Sequence, residues 1–538
     1  MKKILLILFV VGVMFSGCTE DFLELYPTTE IDENAAFSNQ ENAMAVLYGI
    51  YDELTQEQNL GSWLHITNEV KGDDAFLAQA LNWSWWTESF HYTWTASNTD
   101  SRGPRGYWDR FYSVIENCNA AIHAELPFVD EALNEYLSEL YMMRATAYYN
   151  LVNVYCQAYT APGGPSSPGV PLYEVSDAGT YLGRGTVQGV YDLILTDLQF
   201  ARQNAALQNN ESSKTRFTRC YANGLSARVA LSMGNFADAY DYAVAAIADA
   251  PDLATGSDYA MGFSDDNEES IFVVPFNSDD YPIYWALSSF YDHPEGYGNI
   301  FFTEVLFDSY ADDDIRKDWF ITPLFYNIGD DDVNDFYGDD IYIAYHYDGW
   351  YYYSRLEALN FYTAGSYTPD DFYDINYRPG HYSLYAKFPR MDASPGVSRG
   401  SVGLARPTLM RTSELYLIKA ECEARGEGGG ESAAQQTLLA IQQRAQASAV
   451  LSTNTGQDLL DEVLMERRKE LAGEGFRMYD ILRLGIPLER PNIVGPNWAN
   501  VMTLPAYDNK MIFPIPEAEL DSNTELTDAD QNPGYSGA

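Results

Sequence analysis

The chain has 538 residues, with 78 Asp and Glu against 32 Lys and Arg, a formal net charge of −46. A field of that sign repels nucleic-acid phosphates and anionic lipid headgroups, which argues against both as charge-driven partners. Aromatic residues at 14% and apolar residues at 46% rule out an acidic disordered chain, so this is a folded protein, and its length alone gives a soft prior of about three or four domains. The 42 tyrosines and 10 tryptophans supply more amphipathic ring than a core requires, and such rings suit surfaces that are flat and hydrogen-bonding at once.

At the start, Lys2 and Lys3 precede an apolar run over 4–15 that is too short to span a bilayer as a mature helix. Ser16, Gly17 and Cys18 follow. The layout resembles a bacterial lipoprotein signal, whose peptidase cleaves before a cysteine after its thiol has been acylated. The resemblance implies that residues 1–17 are removed and that Cys18 carries the lipid. Phe15 departs from the usual aliphatic residue, and a secretory signal with a chance cysteine is the alternative reading. Glu20 and Asp21 resemble the acidic surface-export tags of Bacteroidetes lipoproteins, so the expected location is the outer membrane, lipid-anchored and exposed at the cell surface. No other segment is long and apolar enough to span. The remaining Cys118, Cys156, Cys220 and Cys422 are far apart and read as buried free thiols, with a disulfide left open.

Helical periodicity predicts a helix over 42–54 with Ala45, Leu47, Tyr48 and Tyr51 inward. The stretch 61–105 reads as loop, with Trp83, Trp85, Trp86 and Trp94 among small and polar residues. From 107 onward Trp108, Phe111, Tyr112, Ile115, Asn119 and Ile122 keep a 3–4 spacing. A second helix is expected over 136–159, and a loop rich in Gly and Pro over 161–171. Thr186 then caps a helix through Ala201, another begins at Tyr221, and Gly234-Asn235 turns the chain into an Ala-rich helix over 236–250. Helix pairs with small residues at their crossings look like degenerate tetratricopeptide units. Such pairs stack so that each covers its neighbour's apolar face.

Between 259 and 406 helical period is lost, Tyr, Asp, Gly and Pro dominate, and short β-like runs appear at 270–276, 341–347 and 382–388. Asp330-Asp331-Asp332-Val333-Asn334 opens like a calcium loop, but Asp335 stands where an EF-hand needs Gly and Ile341 where it needs Glu; solvated acids are the reading, and no metal or cofactor is expected. Six histidines are scattered, with no H-E-x-x-H, G-x-S-x-G or phosphate loop. A glycosidase needs only two carboxylates at the right separation, and nothing singles out a pair.

Helical pattern returns over 409–425 and 431–447. Next, 458–484 packs Glu466, Arg467, Arg468, Glu470 and Glu474 around a stripe of Leu460, Val463, Leu464, Arg467 and Leu471. Arg467 lies on that stripe, which points to a paired, partly buried guanidinium; a solvated charged face is the alternative. This stretch, with Arg477, Asp480 and Arg483, closely resembles the C-terminal signature of the SusD/RagB family of surface glycan-binding lipoproteins. Other phrases agree: Asp21-Phe22-Leu23 with Pro27, the helix opened by Trp108, Gly169-Val170-Pro171-Leu172, and Ile512-Phe513-Pro514-Ile515-Pro516 with Gln531-Asn532-Pro533-Gly534-Tyr535.

The resemblance implies a mainly α, tetratricopeptide-like scaffold (18–258 and 407–490). A long irregular, ligand-facing lobe with short β segments (259–406) lies over it, and a C-terminal tail (491–538) packs on the scaffold. It further implies a non-enzymatic protein that captures oligo- or polysaccharide and delivers it to a SusC-like, TonB-dependent outer-membrane transporter. A surface glycoside hydrolase, or the same lid role with peptide cargo, are the alternatives. Sugar-stacking rings are expected in two places: Trp83, Trp85 and Trp86, then Tyr284, Trp285, Tyr291 and Trp319, with packing in the core as the alternative reading for the first cluster and for each tyrosine. A strand would send Trp83 and Trp85 to one face and Trp86 to the other, so one of the three is expected to anchor the loop.

Overall fold

The computed structural model describes residues 33–77, 85–177, 179–207, 214–260, 262–263, 267–274, 285–291, 300–321, 342–346, 349–353, 382–385, 387, 407–491 and 501–535. Cys18 with the expected signal, Trp83, Tyr284 and the acidic run at 330–335 lie outside the described residues.

Seven longer helices come first among the described residues: α1 (Gln40–Thr55), α2 (Trp63–Lys71), α3 (Pro104–His123), α4 (Asp130–Tyr155), α5 (Val187–Asn204), α6 (Arg219–Ser232) and α7 (Phe236–Asp249). Four more follow a strand-bearing stretch: α8 (Thr412–Ala424), α9 (Gly430–Ala445), α10 (Gly456–Glu470) and α11 (Arg477–Leu484). Their starts are set locally. The Thr186 side chain accepts from the Gly189 amide at 3.0 Å, and Thr218 and Asn235 cap α6 and α7 in the same way, each satisfying an amide that a first turn leaves unpaired. Gly234, at φ +72°, reverses the chain between α6 and α7.

Successive helices pack on one another, α3 on α4, α4 on α5, α6 on α7 and α8 on α9, and α7 also packs on α8, joining the two helical sets. Small side chains make that junction close: Ala227, Ala230, Ala239 and Ala243 form one buried cluster with Ile418 and Cys422. The tail closes over α3 and α4. The Phe513 amide donates to Val154 O at 2.8 Å, and its ring lies between Trp94 and Tyr107. Cys118, Cys156, Cys220 and Cys422 are all buried and free.

The strands are short: β1 (Ala75–Leu77), β2 (Ser270–Val273), β3 (Ile300–Thr303), β4 (Phe320–Ile321), β5 (Tyr342–His346), β6 (Gly349–Tyr353), β7 (Tyr382–Tyr385) and β8 (Thr408–Arg411). An antiparallel sheet runs β1-β3-β7-β4, while β2 pairs with β8 and β5 with β6. Because β1 comes from the N-terminal part and the others from 300–385, this sheet ties the strand-bearing stretch to the first helices.

Three local expectations are corrected. On α1, Ala45 and Tyr48 face solvent, and Ala43, Leu47, Ile50 and Tyr51 form the inward stripe instead. The stretch 61–105 is not all loop: it holds α2, β1 and a short helix, Thr87–His91. Its α2 buries polar as well as apolar residues (Thr67, Asn68, Glu69 and Lys71 are all at most 4% exposed), so no amphipathic stripe marks it. The helix expected from 409 begins instead as β8, pinned to β2, and turns helical only at Thr412.

The stretch over α10 and α11 lies at the centre of a buried ionic layer. Arg467 is 3% exposed and its Nε donates to both Asp480 oxygens, at 3.1 and 2.9 Å, the pairing its place on the apolar stripe implied. Glu470 is fully buried and accepts from Arg411 and Arg444 on one oxygen (both 2.7 Å) and from Arg316 (2.8 Å) and Tyr259 (2.7 Å) on the other. Burial works to raise that carboxyl, but the guanidinium groups of Arg444, Arg411 and Arg316 outweigh it and hold it far below the ordinary range.

Candidate functional site

The site is built from three segments. Helix α2 supplies Trp63 at its first position, the turn before the short helix Thr87–His91 supplies Trp85 and Trp86, and the turn before the helix Leu287–Tyr291 supplies Trp285. Trp85 and Trp285, 200 positions apart in sequence, meet with ring centroids 4.8 Å apart and planes at 45°. Both are half-buried. Trp63 stands edge-on to Trp285 at 5.3 Å and to Trp86 at 6.4 Å, and Phe290 packs edge-on to Trp86 at 4.8 Å. Ser62 fixes the second turn by donating its hydroxyl to Trp285 O at 2.7 Å. The edge-to-face contacts are those that ring quadrupoles favour, so the indoles hold one another in fixed orientation.

A cation lies behind the rings. The Arg102 guanidinium carbon is 5.3 Å from the Trp85 ring and 5.8 Å from those of Trp63 and Trp86. Arg102 is clamped by Asp100, Nε to Oδ1 at 2.8 Å and a terminal nitrogen to Oδ2 at 2.6 Å. Burial raises the Asp100 carboxyl, but the hydrogen bonds and charge of Arg102 outweigh it and hold the group below its usual range. The Asp100 carboxylate therefore stays ionised at neutral pH and keeps the guanidinium against the indole faces.

The far end of α2 roots the site in the ionic layer. Asp73 receives Arg477 Nε at 2.5 Å and a terminal nitrogen at 2.8 Å, while Asp74 receives Arg468 Nε at 2.9 Å. Between them, Glu69 Oε1 accepts the Gly475 amide at 2.8 Å. Gly475 has φ +78°, and a Cβ there would come within 2.8 Å of His65 Cα, so only glycine lets the two segments approach this closely.

Residues 268–535 match the model of the SusD family, and residues 21–231 match a second model described as starch-binding associating with outer membrane. This chain belongs to the SusD family. The SusD-like protein P2 of Formosa agariphila is 25% identical over 99% of this SusD-like chain and the whole of that relative. A SusD superfamily protein from Bacteroides vulgatus superposes with a TM-score of 0.73 at 20% identity, over 93% of this chain and all of that one. A laminarin-binding SusD-like protein superposes with a TM-score of 0.63 at 21% identity, over 92% of this chain and all of that one. The fold of the SusD-like chain is thus the mainly helical, tetratricopeptide-like one expected from the resemblance.

Not every ring expected in the site of this SusD-like protein is available to a ligand. Trp86 is 1% exposed; it sits at φ +55° with Trp63, Trp85 and Phe290 around it, the place of an anchor. Tyr291 is 0% exposed and packs edge-on to Phe302 of β3 at 5.4 Å. Trp319 is 3% exposed, donates Nε1–H to Ala260 O at 2.9 Å, and packs on Tyr259 and Phe263. These three are corrected from ligand contact to core, because burial leaves them no ring face to offer a sugar. The structure instead joins Trp85 to Trp285, one ring from each of the two sequence clusters. Trp63, Phe290 and Arg102 were missed. The Asp100-x-Arg102 spacing beside a tryptophan-rich segment was the one signal that pointed to the last of them.

Proposed function

We propose that this SusD-like chain captures glycan at the outer face of the outer membrane and passes it to a TonB-dependent transporter. Acylation of Cys18 holds it there, and it makes and breaks no bond in its cargo. Trp85 and Trp285 form the stacking surface against the C–H face of a sugar ring, Trp86 and Phe290 fix the turns that carry them, and Trp83 and Tyr284 are further candidate contacts by adjacency. The observation that carries the reading is the meeting of Trp85 and Trp285, two half-buried rings from distant segments, in a chain of this family. The description of the family model as starch-binding and outer-membrane-associated, and the laminarin named for one structural relative, support a glycan as cargo.

The test is calorimetric titration with laminari-, malto- and other oligosaccharides until a ligand is found, followed by Trp85→Ala and Trp285→Ala. Each should lose about 1–3 kcal/mol of binding, roughly tenfold or more in affinity, with little change in melting temperature. Unchanged affinity in both variants removes this platform as the site. New reducing ends appearing during incubation would instead make the protein a hydrolase, and binding of peptides but not glycans would change the cargo.

A further inference from the structure

On the helical scaffold, sharing no lining residue with the tryptophan platform, an open depression of about 480 Å³ lies between α3 and the loop over 173–182 and is closed by Glu519 of the tail. Its apolar wall is made of Tyr112, Tyr173 and Tyr181 over the buried Trp108, with Tyr112 and Tyr173 edge-to-face at 5.8 Å and Tyr181 44% exposed. Its charged lining is Asp109, Glu116, Glu174, Asp177 and Glu519, and no Lys, Arg or His is among the lining residues. Carboxylates that are hydrogen-bonded here have neutral partners: Glu116 accepts from Ser176, Asp177 from Thr180 at 2.6 Å, and Glu519 from Trp108 at 3.3 Å and Asn523 at 2.8 Å. Among the described residues, only Asp109 of this set meets a cation, Arg105 on the exposed helix face at 3.2 Å.

A ligand for this depression is favoured by hydrogen-bond donors and positive charge, because five carboxylates line it and no basic side chain does. A neutral sugar answers only half of that need. It brings donors but no positive charge, and two of the lining donors are already committed, the Tyr112 hydroxyl to Pro171 O at 2.9 Å and the Trp108 N–H to Glu519. Aromatic faces beside carboxylates suit an ammonium or guanidinium on an apolar stem, held by ring quadrupole and ion pair together. We propose that this depression receives a Lys or Arg side chain from a loop of a partner protein. The charge of the whole chain, 78 acids against 32 bases, fits a partner that approaches with basic residues foremost. The site is independent of the saccharide platform, so either reading can fail without the other.

The experiment titrates the full chain in detergent with an Arg-Arg dipeptide blocked at both ends, at about physiological salt, and follows heat and tryptophan fluorescence. A triple variant, Glu116→Gln with Glu174→Gln and Asp177→Asn, is compared with a control of equal charge change on exposed positions elsewhere, Asp241→Asn with Asp458→Asn and Asp461→Asn. The depression variant should bind about tenfold more weakly and the control less than about twofold. Tyr181→Ala should weaken binding roughly threefold to fivefold without altering the melting curve. Equal losses in the two triple variants would overturn the proposal by reducing it to the overall field. Equal binding of a blocked Gln-Gln dipeptide, or a neutral oligosaccharide whose binding Tyr181→Ala abolishes, would overturn it as well.

Discussion

The Glu470→Gln substitution tests whether the ionic layer holds the scaffold together. Glu470 is fully buried, and its two oxygens receive four donors, from Arg411, Arg444, Arg316 and Tyr259. Glutamine keeps the shape but has one oxygen, so whichever way the amide turns, its NH2 faces two donors with none to accept from them. The substitution therefore removes two charge-assisted hydrogen bonds and leaves three guanidinium groups short of a countercharge. At roughly 1.5–3 kcal/mol for each such bond, and about 3–5 kcal/mol for breaking a buried ion pair from one side, the expected loss is about 4 kcal/mol. Unfolding entropy near 2.1 cal/mol/K per residue makes each kcal/mol worth about 1 °C in a chain of this length, so scanning calorimetry should show a fall of about 4 °C. The pH dependence gives an independent check. The native Glu470 carboxyl is depressed, so its contribution is present above the unfolded value of about 4.3 and is lost as pH falls from there toward the native one. The gap between wild type and variant should accordingly narrow below about pH 4.3. A variant that melts within a degree of wild type at neutral pH would refute the assignment of stability to this layer.

Arg467→Ala should cost about 3 kcal/mol in chemical denaturation, since Asp480 would keep only Arg483 at 2.7 Å. Trp86→Ala should cost about 3–5 kcal/mol of stability by opening a cavity between Trp63 and Phe290, in contrast to the binding loss expected at Trp85. Glu69 shows the opposite linkage to Glu470: burial, then the Asp74 charge, pushes its carboxyl up to about 8. Its contribution is full below the unfolded value of about 4.3 and lost as pH rises through the native one, so Glu69→Gln should flatten the stability slope between those limits, as melting scans across pH will show. Cys18→Ala should release soluble protein, and protease added to intact cells should cut the wild type; protection would place the chain inside.

What could be read from the sequence was what local chemistry decides. Thr186 as a helix cap and Gly234-Asn235 as a turn each act within a few residues, and each was legible as a letter in its own neighbourhood. The buried standing of Arg467 was legible for the same reason, because period alone put it on an apolar face. Helix α2 was not, since Glu69 and Lys71 are buried against partners at Gly475 and Met511, some four hundred positions along the chain. Trp85 and Trp319 looked alike as rings in loop-like sequence. What separates them is that Trp319 is roofed by Tyr259 and Phe263 whereas the half-buried Trp85 meets Trp285, and both facts are tertiary.

The ties between Asp73, Asp74 and the pair Arg468 and Arg477 span about 394 to 404 positions and bear on the order of assembly. A chain emerging amino end first can pair its early helices at once, but α2 has no countercharge for Asp73 and Asp74 until the last eighth of the polypeptide arrives. Until then those acids lack their guanidinium partners, so Trp63, although its ring partners Trp86 and Trp285 are already made, stands on a helix whose far end is not yet tied down. A nascent or truncated chain that ends before Arg468 would therefore carry paired early helices and an α2 without its carboxy-terminal anchor.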